Sequence, residues 1–85
     1  LERLGLPLET LLAEQPELIV ASVRGYGPGG PWADYKSLDF VAQATGGAMS
    51  VNGEAHGPPT RVGVTIADSG TGLHLAVGIL AALYR

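Results

Sequence analysis

The chain alternates between short apolar runs of different period and glycine- and proline-rich stretches, and each change predicts an element. Leu8 to Ala13 follows Pro7, which suits a first helical turn, and Glu9 stands near the positive end of the dipole, so a helix is predicted there. Pro16 should stop it. Leu18 to Val23 (LIVASV) is an apolar, β-branched run between Pro16 and Gly25, the pattern of a strand in a parallel sheet covered on both faces. From Ser37 to Ser50 the period turns helical, since Leu38, Val41, Ala42, Thr45 and Met49 fall at spacings of three and four behind Ser37 as N-cap. Gly46 and Gly47 mark a close approach or a break within it. Val62 to Ile66 is again β-branched and predicts a second strand. After Asp68 and Ser69, a helix from about Thr71 to the end is apolar all round and should be covered on all sides.

Two stretches separate these elements. Gly25 to Tyr35 (GYGPGGPWADY) has four glycines and two prolines and predicts a long loop, whose Trp32 and two tyrosines should rest on other parts of the protein. Asn52 to Pro59 (NGEAHGPP) reads as a turn-rich connector. The order helix, strand, loop, helix, connector, strand, helix is that of an α/β unit, a single segment over residues 1–85 without internal boundary or repeat.

Composition changes this picture in one respect. Apolar residues make up 46% and charged residues 15% of 85 positions, against roughly 25% charged in soluble domains, which suits the interior of something larger. The chain starts without Met and stops inside an apolar helical pattern, so a segment of a longer protein is expected. Ser69 to Tyr84 carries no formal charge but contains three glycines and a histidine and is shorter than the roughly 20 residues of a bilayer span. A buried helix is predicted rather than a membrane segment.

Charge and cysteine content narrow the partners. A net charge of −3 with five scattered Lys and Arg offers no track for a phosphate backbone, so nucleic acid is not expected and small molecules are. No hydrophobic run follows Glu2 and Arg3, so no signal peptide is expected. The absence of cysteine excludes disulfides and thiolate metal sites and fits a cytoplasmic setting.

Most candidate chemistry is weak. Gly25, Gly27 and Gly30 satisfy G-x-G-x-x-G after a predicted strand, but Pro28 and Pro31 intervene where a dinucleotide-binding loop must run straight into a helix. His56 and His74 have no carboxylate at a ligand spacing, so no metal site is expected; His74 reads as a hydrogen-bonded core histidine and His56 as exposed. The serines lack a nucleophile elbow. Asp68 is the exception. It lies where an aspartate commonly caps a helix, and the same place suits a nucleophile, a carboxylate near a helix N-terminus with Gly70 and Gly72 leaving room for substrate.

Three ordered blocks then carry a family resemblance: LERLGLPLETLLAEQPELIVASVRGYGPGGPWADY, with an LGL helix and a GYG-x-x-GP loop; LDFVAQATGGAMSVNGE, with D-x-x-x-Q-A; and GPPTRVGVTIADSGTGLHLAVGILAALYR. Over essentially all 85 residues the chain resembles the class III CoA-transferases, a family that includes formyl-CoA:oxalate and carnitine CoA-transferases and alpha-methylacyl-CoA racemase. The resemblance implies a slice of the Rossmann-like large domain of an interlocked homodimer, inactive alone, acting on acyl-CoA and carboxylic acid substrates. Coenzyme A would enter as a thioester substrate, with no permanently bound cofactor and no membrane partner.

The resemblance also assigns roles. The aspartate matching Asp68 is the family's nucleophile, passing through an aspartyl-CoA thioester. The racemase branch pairs it with a histidine at the position of Leu38, and leucine cannot shuttle a proton, so transfer is the favoured reaction. Transferases often place an aromatic there, so Leu38 also changes the surroundings of the acyl group. Asp39 matches an acidic position that supports the site, though by pattern it is equally a first-turn residue favoured by the dipole. Lys36 matches a basic contact to CoA or is a solvated loop lysine. Gly70 would line the substrate site. A racemase-like enzyme and an inert CoA-binding or assembly module, with Asp68 only a cap, are the alternatives.

Overall fold

The computed structural model describes residues 5–85. Glu2, Arg3 and the first leucine of the LGL stretch lie outside the described residues. The elements in order are α1 (Leu8–Glu14), α2 (Asp39–Thr45), a 3-10 turn (Ala48–Val51) and α3 (Ile66–Leu83). α1 opens directly after Pro7 and closes at Gln15, whose amide still bonds to Leu11 O at 2.9 Å. Pro16 then has no N–H with which to continue.

Neither predicted strand is present among the described residues, whose regular elements are all helical, so this segment does not itself show the expected α/β arrangement. The reason is that a strand is defined by its partner. The two β-branched runs do not pair with each other, and the second is engaged by a side chain instead: Val62 N donates to Gln43 Oε1 at 2.8 Å, and Gln43 Nε2 donates to Val64 O at 3.3 Å. A carboxamide is a donor and acceptor pair like a peptide group, so it satisfies this stretch where a neighbouring strand otherwise would. Ile66, the last residue of the predicted strand, already belongs to α3.

The second helix is shorter than the predicted Ser37–Ser50. Leu38, not Ser37, occupies the N-cap, with no side-chain cap bond. At the other end the amides of Gly46 and Gly47 turn back to Ala42 O and Ala44 O at 2.9 and 3.2 Å, and Gly47 adopts φ +82°. That left-handed conformation is costly for any residue with a Cβ, so the glycine pair is a break, and the chain restarts as the 3-10 turn. α3 starts about a turn before Thr71 and keeps Gly70 and Gly72 inside it.

The loop between the first apolar run and α2 closes on itself. Its turns are joined by Ala33 N to Gly30 O at 3.1 Å and Tyr35 N to Trp32 O at 2.9 Å, and Tyr26 meets Trp32 edge to face at 5.5 Å. No helix follows the glycines before Asp39, as the prolines require. At the neck of this Ω-like loop Gly25 lies against Ser37, so a Cβ at Gly25 would fall on the Ser37 side chain. Gly25→Ala is expected to lower stability by about 1–3 kcal/mol through overpacking, read as a drop in midpoint on chemical denaturation. Adding Ser37→Gly should recover part of it, and an unchanged midpoint for the single variant would show that the neck is not a close contact.

The segment is elongated, with extents of 56 × 30 × 18 Å and a Cα radius of gyration of 17.0 Å, against roughly 12 Å for a compact domain of this length. No apolar side chain among the described residues is buried; the two buried residues are Asp39 and Gln43. α3 carries no buried residue, and Leu73, Val77, Leu80 and Leu83 are exposed, so the predicted cover on all sides is not supplied by this segment. By length and composition alone α3, with mean hydropathy 1.5, is apolar enough to cross a membrane.

Candidate active site

The two buried side chains stand on one face of α2, a single turn apart, as the i and i+4 positions of D-x-x-x-Q require. Gln43 Nε2 donates to Asp39 Oδ2 at 2.7 Å, and the other carboxylate oxygen, Oδ1, accepts from Ala67 N at 2.8 Å and from Asp68 N at 3.4 Å. Asp39 thus belongs to the first turn of α2 and at the same time caps α3. The chain enters α3 at Thr65, with φ −75° and ψ 66°, and Ile66 N donates to Val64 O at 2.8 Å. These values are those of an inverse γ-turn. Thr65 itself supplies no side-chain cap bond, so the orphan donors of the first turn of α3 are met from the other helix.

This geometry corrects the reading of Asp68 as the helix cap. It is the third residue of α3, inside the first turn, where it is an acceptor too far along to cap. Its amide is held by Asp39 while its own carboxylate is exposed. The anion at the mouth of α3 that the amides engage is Asp39, the natural arrangement for a helix N-terminus. Of the two readings of Asp39, the first-turn position is met, and its carboxylate reaches on to the amides of Ala67 and Asp68.

The other candidates distribute unevenly. Leu38 is the N-cap of α2 and 64% exposed, adjacent to the carboxylate that holds Asp68, so it shares the place where the two helix N-termini meet. Lys36 is exposed, two residues before Leu38 on the segment leaving the loop neck. Gly70 is half-buried on α3, and a Cβ there or at Gly72 would meet nothing within 4 Å. Gly72, at i+4, shares the helix face of Asp68, whereas Gly70, at i+2, lies on the other side of the helix.

The histidines take no part in this arrangement. His74 is exposed rather than a core residue, and its Nδ1 bonds Gly70 O at 2.7 Å. Because a carbonyl can only accept, that nitrogen carries the proton. His56 is exposed, at φ 65° in the connector, which Asn52 Nδ2 closes onto Thr60 O at 3.0 Å. Among the described residues no group of His, Asp and Glu is placed to hold a metal ion.

Pattern alone does not single out Gln43. The one signal for it is the polar i, i+4 pair on a face whose neighbours Val41 and Ala42 are apolar, a pairing that buried polar groups adopt when they satisfy one another. Chemically, the arrangement offers an exposed carboxylate on a backbone fixed by a buried anion and amide, facing open space. It is competent for nucleophilic attack by carboxylate oxygen.

A profile of CoA-transferase family III matches residues 1–85. A formyl-CoA:oxalate CoA-transferase of Rhodopseudomonas palustris strain BisA53 is 53% identical over 85 residues, all of this chain and 20% of that protein. The formyl-CoA:oxalate CoA-transferase of Streptomyces avermitilis is 45% identical over 84 residues, again 20% of its length. Among solved structures, a CAIB/BAIF family protein from Brucella suis superposes with a TM-score of 0.89 at 40% identity, covering 98% of this chain and 22% of that one. The chain therefore spans about a fifth of the length of the curated relatives it matches.

Proposed function

Because this chain belongs to CoA-transferase family III, we propose that it supplies the nucleophile, Asp68, of a full-length enzyme that moves CoA from an acyl-CoA to a carboxylic acid. The observation that carries this reading is the division of labour at α3: Asp39 takes the helix amides, and the Asp68 carboxylate, exposed in the first turn, is left for chemistry. The names of the relatives, formyl-CoA:oxalate CoA-transferase, make formyl-CoA and oxalate the first donor and acceptor to test.

The steps balance as acyl exchanges. A carboxylate oxygen of Asp68 attacks the thioester carbonyl, the C–S bond breaks, and a mixed anhydride forms with release of CoA thiolate. The thiolate attacks the aspartyl carbonyl, the donor acid leaves as carboxylate, and Asp68 holds CoA as a thioester. The acceptor carboxylate attacks that thioester, and the released thiolate then takes the acceptor acyl group from the second anhydride, regenerating Asp68. Each step trades one activated acyl bond for another, so no ATP is consumed.

The surrounding residues fit supporting parts. Gly72, one turn on from Asp68 on the same helix face, has no Cβ to fill the space there. Leu38 presents an aliphatic side chain and no proton donor at the junction of the helices, which favours transfer over racemisation. Lys36 is an exposed cation on the approach, suited to a phosphate of CoA. The apolar surface of α3 is covered by the remainder of a full-length, Rossmann-like cytoplasmic protein, functioning as an interlocked homodimer.

The test is direct detection of the intermediate. Full-length protein incubated with formyl-CoA should gain CoA in thioester linkage, and hydroxylamine should convert it to a hydroxamate that peptide mass mapping places on Asp68. A hydroxamate on another residue, or turnover with none, would refute the assignment.

A further inference from the structure

We infer that Gln43 is a positioning residue for the transfer step, its carboxamide setting, through Asp39, the backbone from which Asp68 reacts. The inference rests on Asp68 being the nucleophile. Gln43 is the most deeply buried residue described, 2% exposed in a segment that buries no hydrocarbon side chain. Every polar function it has is engaged: one amide proton on Asp39 Oδ2, the other on Val64 O, and Oε1 on the amide of Val62. Only this orientation works, since the flipped amide would set oxygen against carboxylate and carbonyl, and N–H against N–H.

The bonds bracket the entrance to α3. Val64 O, which Gln43 holds, is the carbonyl that starts the turn at Thr65; Ala67 N and Asp68 N, which Asp39 holds, are the amides that follow it. A single carboxamide therefore fixes the turn on its near side directly and on its far side through one carboxylate. Nucleophilic attack is sensitive to displacements of the order of 1 Å. A residue that pins both ends of the turn therefore acts on the rate of attack, while substrate contacts elsewhere go unchanged.

The full-length enzyme tests this with Gln43→Glu, Asp39→Asn and the two combined. Gln43→Glu puts a second carboxylate against Asp39 and Val64 O. Asp39→Asn puts two amino groups face to face. In the double variant the carboxamide introduced at position 39 can donate to the carboxylate introduced at position 43 and still accept from α3, and Val62 N keeps an acceptor; Val64 O keeps Ile66 N but loses the donor from position 43. Each single change should cut kcat and the rate of Asp68 adduct formation by about 10- to 100-fold, by displacement of the nucleophile. KM for acyl-CoA should stay unchanged, and the double variant, which restores the far side of the turn but not the bond to Val64 O, should regain part of the lost kcat.

Wild-type kcat in Gln43→Glu, an effect confined to KM, or a double variant no faster than the worse single one would overturn the inference. If Gln43→Glu does not fold, the double variant decides: folded but no faster than Asp39→Asn, it refutes the role. Asp68→Ala in the same assay separates the two readings. Transfer retained by Asp68→Ala defeats the nucleophile itself, whereas an inactive Asp68→Ala beside a fully active Gln43→Glu defeats only the role of Gln43.

Discussion

Asp68→Ala in the full-length protein should lower the transfer rate by about 10³-fold or more, the scale expected when a covalent nucleophile is removed. The adjacent carboxylate cannot stand in for it. Both oxygens of Asp39 are committed, one to Gln43 and one to the α3 amides, and the residue is 8% exposed. Stability should barely respond. Asp68 is exposed and caps nothing, so its removal forfeits only the dipole term of a first-turn acid, at most about 1 kcal/mol. Initial rates with formyl-CoA and oxalate, measured beside thermal unfolding, check both halves. A rate within tenfold of wild type would dismiss Asp68 as nucleophile, and a large fall in stability would return it to the role of a cap.

Asp39→Ala should show the opposite balance at the level of stability. Truncation strands one buried proton of Gln43 and the part-buried amides of Ala67 and Asp68. Leaving such groups unsatisfied costs about 1–3 kcal/mol each. The Asp68 contact is the longest of the three and counts least, so a total of about 2–5 kcal/mol is expected. The loss is measurable as a shift in the denaturation midpoint of the full-length protein. Activity should fall too, because the first turn of α3 frays where Asp68 sits. A midpoint equal to that of wild type would mean that the bridge between the helices carries no weight.

Local features were legible in the sequence where their causes are local. Pro7 and Pro16 bound the first helix, the prolines of GYGPGGPWADY forbid a helix after its glycines, and Asp68 falls near the start of the last helix as its pattern implies. Where the segment departs from these expectations, the causes lie elsewhere in the chain. LIVASV and the run from Val62 look like strands because their side chains suit a sheet, but pairing is non-local and these residues do not supply it. Ser37 looked like a cap because caps are read from the next residues along, whereas Leu38 is the boundary. Asp68 looked like a cap for the same reason. The residue that meets the α3 amides lies 29 positions earlier, beyond any local rule. The family resemblance gave Asp39 a supporting part, but its bonds to the amides of Ala67 and Asp68 have no local signal.

The bridge also bears on which contacts this stretch of chain holds by itself. Its bonds join residues 19 to 29 positions apart, spans whose closure costs little more entropy than a short loop, since that cost grows only with the logarithm of length. α3, by contrast, presents an apolar surface that this stretch of chain does not cover. The polar bridge involves no residue outside this stretch, so its bonds need no partner for α3. The backbone of Asp68 is thus tied to the second helix by bonds within this stretch alone, while the apolar face of the last helix depends on cover from elsewhere.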